Sequence, residues 1–288
     1  MDRLLVTGGS GLLGSSFRDV EGRDYKIITT HHQNPDKDTI PLDVTNHKDV
    51  QDKIGHLNPD VVIHSAALTN VDYCEEHPAE AWALNVQGTE NIIKACKMTG
   101  SKLIYVSSDF VFDGCKGNYS EDDGTCPLNY YAYTKLKGEE AVWKSGLEYA
   151  ITRVSVLYGW HARRGFVSWV TNELNGGHEI NVVDDHYNSP TLDSNARDAI
   201  LKIIETDKQG IYHTSGSQRI SRFDFAVNIS RVFELDESLI NPIKSSDLVQ
   251  KAKRPKDSSL SVNKVHKDLK INMINTLEGL KHMREARL

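Results

Sequence analysis

Long apolar runs are missing from this sequence: no stretch approaches the uninterrupted length of a membrane-spanning helix, so no membrane partner is expected. Cysteine is scarce. Cys74, Cys96, Cys115 and Cys126 form no C-x-x-C pair, which argues against a disulfide framework or a zinc knuckle and leaves free thiols and no metal site as the expectation. A basic balance is also lacking. With 34 Lys and Arg against 40 Asp and Glu, the formal charge is −6, the wrong sign for neutralising nucleic-acid phosphates, and a small-molecule partner fits better. Internal repeats and low-complexity tracts are absent, and the first apolar run starts within a few residues of Met1, too early for a signal peptide. A cytoplasmic location is therefore expected. The 288 residues, 39% of them hydrophobic, suffice for one large domain or two modest ones.

What is present begins with Leu4-Leu5-Val6 followed by Thr7-Gly-Gly-Ser-Gly-Leu-Leu-Gly14. An aliphatic run, a glycine turn and an apolar helix start read as strand, turn and helix. Gly8, Gly11 and Gly14 have the spacing that makes a tight turn, lets backbone approach a pyrophosphate and packs helix on strand. The helix start offers unpaired N–H groups and a positive dipole end to phosphates. Gly8, Ser10, Gly11, Leu12 and Leu13 are the candidate cofactor seat.

Strand and helix patterns then alternate. Strands are expected at Lys26–Thr30, Asp60–His64, Lys102–Val106 and Tyr149–Val154, and helices at Lys48–Leu57 behind an Asn46 cap, Pro78–Lys97 and Leu128–Lys144. The alternation implies an α/β fold, a doubly wound parallel sheet over residues 1–157. Residues 158–288 read as a smaller mixed lobe on the substrate side, with some segments returning to the first domain. Helices are expected near 165–175, 194–205 and 221–233, and a strand at 210–213. The ligand cleft belongs between the two parts, at the carboxyl ends of the strands. Glu121-Asp-Asp-Gly124 reads as a solvated turn.

Ser107-Ser108-Asp109 ends the fourth expected strand, and Tyr131 and Lys135 stand four apart on the helix that follows, sharing a face. A nearby ammonium favours phenolate, so Lys135 is expected to pull the Tyr131 pKa below its reference of about 10. The set suits carbonyl reduction: hydride from a nicotinamide, a proton from Tyr131, and a Ser108 hydroxyl to orient the oxygen. Tyr133 and Lys137 repeat the spacing on the other side of the helix, so one pair is a decoy.

Together these residues resemble the extended short-chain dehydrogenase/reductase family, in its dTDP-4-dehydrorhamnose reductase-like branch. The likeness spans nearly the whole chain, through Thr7–Gly14, His64–Asp72, Ser107–Gly114, Tyr131–Glu139, Arg153–Gly159, Val182–Thr191 and Arg254–Leu260. It implies a Rossmann fold and catalytic roles for Ser108, Tyr131 and Lys135, with Asp109 beside the substrate and Tyr133 as the decoy. Tyr131 and Lys135 also border the cofactor, as do Asp43, Val44, Ala66, Ala67 and Thr69. Ser108, Asp109, Val156, Arg254 and Ser258 border the substrate, with Arg254, Pro255 and Ser258 in a lip around its nucleotide. The implied activity is reduction of a nucleotide-linked 4-keto sugar, dTDP-4-dehydro-L-rhamnose foremost. Alternatives are a non-catalytic regulatory subunit, as in methionine adenosyltransferase, or a nucleotide-sugar epimerase. A homodimer is the family-level expectation, and a requirement for Mg2+ stays open.

The sequence departs from this pattern in places. An NAD fingerprint expects an acid at the end of the second strand, where Thr29-Thr30-His31-His32 stands. Without a carboxylate to repel a 2′-phosphate, NADPH is favoured over NADH, with Thr30 and His31 as neighbours of that ribose. Val156 stands where a pocket Trp is common, with Trp160 nearby in another register, and Phe110 replaces a usual Tyr.

Overall fold

A computed structural model describes residues 2–20, 25–160 and 165–286. Leu4, Leu5 and Val6 are fully buried within the strand Asp2–Thr7, as expected of a parallel strand covered on both faces. Six strands flank it, giving the spatial order 210–213, 149–154, 102–108, 61–64, 2–7, 25–31, 39–41, with all pairs parallel. This is the doubly wound α/β sheet the alternation implies. Strand order reverses beside Asp2–Thr7, and a crevice opens at such a reversal beyond the carboxyl ends. Pairing of Val6 with Ile63 and of Thr7 with His64 sets the glycine turn against the segment that follows His64.

Alternate side chains feed two cores. Leu4, Val6, Ile63 and Ile104 pack with Ala196, Ile200 and Leu269 on one face, and Leu5, Val62, Leu103 and Ile151 with Val50, Ile54 and Ile92 on the other. A third cluster, built around Tyr158, Val167, Ile180, Phe225, Ile229 and Leu280, joins the helices Phe166–Asn175, Arg222–Phe233 and Thr276–Glu285. Gly210–His213 pairs with Tyr149–Val154, returning the chain to the main sheet.

Three local features differ from expectation. The edge strand Thr39–Pro41 was not foreseen, being too short to show an alternation and ending in a proline that only an edge tolerates. The first α-helix covers only Leu12–Ser16 before tightening into a 3-10 turn, so its dipole is that of little more than one turn. The helix from Pro78 widens into a π turn at Ala83–Gln87 before continuing as Gly88–Thr99. That turn aims Asn85 inward, where it accepts from Leu68 N (2.8 Å) and donates to the Leu68 carbonyl (3.1 Å) and Thr134 Oγ1 (2.9 Å). A π turn beside a cleft segment is a recurrent functional device.

Candidate active site

The glycine turn leaves no room for a side chain at Gly9 or Gly14. A Cβ on Gly14 would sit 2.3 Å from the Gly8 carbonyl oxygen, and one on Gly9 2.4 Å from Thr29 Cβ. Gly8 takes a φ of 70°, open to glycine without strain. The turn is pinned by Gly9 N to the Thr30 carbonyl (2.6 Å) and Gly11 N to the Gly8 carbonyl (2.9 Å). Gly8, Ser10, Gly11, Leu12 and Leu13 line a cleft of about 670 Å³ together with Asp43, Val44, Ala66, Ala67 and Thr69. Substituting Gly14 by Ala is expected to displace the Gly8 peptide and weaken dinucleotide binding at least tenfold in a fluorescence titration; unchanged affinity contradicts this cradle.

His31, His32, Gln33 and Asn34 line the far end, so no carboxylate stands at the tip of the second strand. His31 Nδ1 lies 2.7 Å from Thr39 Oγ1, and His32 is 3.8 Å from Asp43. Thr30 corrects the sequence reading: it is buried and meets the turn through its carbonyl, away from the cleft wall.

At the opposite end, Ser108 closes the strand Lys102–Ser108, and Asn129 caps the helix Tyr130–Trp143 by accepting from Ala132 N. The cap sets Tyr131 and Lys135 on the face turned to Ser108, and all three line the cleft with Asp109. Tyr133 is on the outer face, 39% exposed, and Lys137 reaches over its ring while pairing with Glu140 at 2.8 Å. The second Tyr–Lys pair is therefore a surface contact.

Asp109 is buried at the base of the cleft. Ser108 Oγ donates to its Oδ1 at 3.0 Å, and Ser155 Oγ (2.8 Å) and Ser258 Oγ (2.5 Å) donate to its Oδ2. Burial raises its carboxyl pKa against the pull of these hydroxyls. Ser258 thus departs from its expected place at the nucleotide lip: it is inaccessible and spent between Asp109 and Asn188 Nδ2. It fixes the acid instead of facing a ligand.

The expected lowering of the Tyr131 pKa is reversed. Burial raises the phenol, the Ser108 hydroxyl only partly offsets it, and Asp109 and Cys74 push the same way. Lys135, under a desolvation penalty of its own, drops to about 7 although Glu139 draws it up. Its ammonium lies 4.3 Å from the Tyr105 ring centroid. The unfolded chain holds this proton up to the ordinary 10.5, the folded chain only to about 7. Between those values the unfolded state binds more protons, so the Lys135 contribution to stability rises with pH over that window and is flat below it. In urea unfolding of the cofactor-free chain, wild type is expected to gain on Lys135→Met as pH rises from 7 to 10; a pH-independent difference contradicts it.

On the substrate side, Val156 lines the cleft at φ 42°, a strained setting for a β-branched residue. Phe110 meets Tyr131 edge-on at 6.2 Å. Trp160 does not fill the aromatic gap: its indole donates to the Met283 carbonyl and packs edge-on against Phe233. A neighbouring hollow of about 940 Å³ is lined by Lys251, Lys253, Arg254, Lys256, Arg219 and His186. Arg254 grips Asp72 with both amino groups (2.5 and 2.7 Å), which lowers the Asp72 pKa to about 2. Glu121, expected in a solvated turn, instead accepts from His213 N at 2.9 Å, and burial raises its pKa.

Asn85 and Arg222 escaped the sequence reading, and Gly9 and Ser107 stood within its quoted stretches without a role. Ser107 Oγ is buried, lines the cleft and has no hydrogen-bond partner. That orphan hydroxyl and the glycine cradle fit a dinucleotide lying along the crevice. Among the described residues, no cluster of three or more His, Cys, Asp or Glu is placed to hold a metal, and no helix is long and apolar enough to cross a membrane.

The family model for the RmlD substrate binding domain matches residues 1–287. A dTDP-4-dehydrorhamnose reductase of Aggregatibacter actinomycetemcomitans is 31% identical, with 99% of each chain covered. The crystal structure of a dTDP-4-dehydrorhamnose reductase from Bacillus anthracis in complex with NADP superposes with a TM-score of 0.92 at 30% identity, covering 99% of both chains. Methionine adenosyltransferase 2 subunit beta of Bos taurus is 29% identical over 91% of this chain and 81% of its own. A glycine cradle at the strand-order reversal, a Ser–Tyr–Lys set at its far end and a match running from end to end place this chain in the RmlD substrate-binding-domain family, the dTDP-4-dehydrorhamnose reductase-like branch of the extended short-chain dehydrogenases/reductases.

Proposed function

We propose that the protein is a nicotinamide-dinucleotide-dependent reductase of a nucleotide-linked 4-keto sugar, with dTDP-4-dehydro-L-rhamnose as the leading substrate and NADPH as the favoured reductant. What carries the reading is the convergence of Ser108, Tyr131 and Lys135 on the cleft that the glycine turn opens. When bound, the reduced nicotinamide supplies the hydride. Tyr131, its pKa raised, holds its proton at neutral pH and so is loaded as the acid that reduction needs. Passing that proton to the substrate oxygen is favourable because an alkoxide is a stronger base than a phenolate. Ser108 Oγ, positioned by Phe110 N (3.2 Å), orients that oxygen by turning its one proton to it from Asp109 Oδ1. Lys135, with a pKa near 7, stands four residues along the same helix to stabilise the phenolate and return a proton.

Residues 158–288 supply the substrate side in this reading, and Arg254, positioned by Asp72, faces the nucleotide in the neighbouring hollow. His31 and His32 in place of an acid support NADPH over NADH. Hydride transfer, followed as NADPH oxidation by the purified chain with a panel of nucleotide-linked keto sugars, tests the proposal. Turnover with the dTDP-linked 4-keto sugar supports it, and no oxidation with any member overturns it.

The likeness to methionine adenosyltransferase 2 subunit beta favours a second reading, a dinucleotide-binding regulatory subunit. Stable co-purification with a partner enzyme and no reductase turnover distinguishes that role.

A further inference from the structure

Arg222 opens the helix Arg222–Phe233 behind the Ser221 cap, and its backbone N–H donates to the His186 carbonyl at 3.0 Å. Its side chain lines the same cleft as Asp109, Tyr131 and Val156, with the guanidinium carbon 5.1 Å from the Phe166 ring centroid. An arginine fork carries five N–H donors. Among the described residues, none accepts a hydrogen bond from this fork, and no carboxylate lies within ion-pair distance of it. Asp109, the acid it faces, already receives three serine hydroxyls. Burial lowers the guanidinium pKa to about 10 against the pull of Asp109, so the group stays charged at neutral pH. The side chain is partly exposed at the cleft and its fork makes no hydrogen bond among the described residues, so an arriving anion gains charge-assisted bonds from donors already partly shielded from water.

Position names the anion. His186 belongs to the neighbouring hollow, which Asp113, Asp185 and Asp257 line together with its Lys and Arg side chains, and its imidazole feels Asp185 as well as Arg222, Arg254 and Lys256. Arg222 therefore stands where that hollow meets the reactive end of the cleft. A nucleotide sugar lying across both carries its glycosyl phosphate between its base and its sugar.

We propose that Arg222 binds an oxyanion of the substrate at this junction and so fixes how far the sugar enters toward Tyr131. The inference rests on the nucleotide-sugar reading above. Two sources share the chemistry, the glycosyl phosphate and a carboxylate on the sugar ring, and a guanidinium fork suits either with two parallel hydrogen bonds.

Calorimetric titration of the NADP-loaded full chain with thymidine, dTDP, dTDP-glucose and dTDP-glucuronate tests it, since none of these ligands carries a ketone and binding is read without turnover. Arg222→Met is expected to weaken dTDP-glucose about 10- to 100-fold, the loss of charge-assisted hydrogen bonds, with thymidine and NADP affinities unchanged and partial recovery in Arg222→Lys. A loss confined to dTDP-glucuronate also supports the proposal and assigns the oxyanion to the sugar carboxylate. Wild-type affinity for all four ligands in Arg222→Met overturns it, as does an equal loss for thymidine. If wild type binds neither dTDP nor its sugars, the nucleotide-sugar reading fails, and this inference with it.

Discussion

Tyr131→Phe is expected to lower kcat by about 10²- to 10⁴-fold while leaving NADPH affinity unchanged, because the substitution deletes one hydroxyl from an otherwise intact wall. The phenol sits at the end of a short chain of consequences. Asn129 caps the helix, the cap orients its first turn, and that turn buries the Tyr131 ring against Phe110 with its hydroxyl toward Ser108. The Phe variant keeps the ring packing, so a lost rate reports the lost proton donor and not a collapsed pocket. Stopped-flow measurement of NADPH oxidation with the dTDP-linked 4-keto sugar, together with a cofactor titration, separates the two effects. A kcat within threefold of wild type would remove Tyr131 from the chemistry.

The largest loss of stability is expected at Glu139, one turn beyond Lys135 on the same helix. Glu139 and Arg153 form a two-point ion pair (2.9 and 2.7 Å) with both side chains almost wholly buried, and the Arg153 fork continues to His213 Nε2 at 3.5 Å. Glu139→Ala leaves the guanidinium enclosed without its acid, a change of about 3–5 kcal/mol in unfolding free energy. Replacing both residues by Met removes the charges together and is expected to recover most of that loss, since a buried pair contributes little net stability over an apolar one. Urea unfolding of the single and double variants measures both values. A single variant within 1 kcal/mol of wild type contradicts the assigned role. Glu139 also raises the Lys135 pKa, so the single variant is expected to push that amine further down.

The features that could be read from the sequence are those whose meaning is held in one contiguous stretch. Thr7–Gly14 announces itself because glycine spacing and the neighbouring apolar run are both local, and the i, i+4 relation of Tyr131 and Lys135 follows from helix geometry alone. Ser108 is legible because a strand end is a definite place in a parallel sheet. What escaped depends on distant segments meeting. Arg222 matters because it arrives beside Asp109, more than a hundred residues earlier in the chain, and nothing around it in sequence marks it as different from any other first-turn arginine. Asn85 depends on a π turn, which no residue pattern here foretells. Ser258 was placed at a lip by the family likeness, whereas the fold turns its hydroxyl inward to Asp109.

The Tyr131 pKa went the other way for a related reason. Spacing tells how near Lys135 comes along the helix, but not how much water the fold takes away from both groups. Here burial dominates at each group: the amine drops to about 7, and the phenol rises. For a reductase, this is the useful sense, since the acid arrives at the substrate with its proton on.

In the proposed reaction this cleft passes hydride to the keto carbon of a nucleotide-linked sugar. Its most direct test is a single turnover of the purified chain with dTDP-4-dehydro-L-rhamnose and NADPH carrying deuterium at the transferable position, with the sugar nucleotide then examined by mass spectrometry and NMR. One deuterium per product molecule is expected, on the former ketone carbon, in step with NADPH oxidation. Unchanged keto sugar, or a product without deuterium at that carbon, would contradict it.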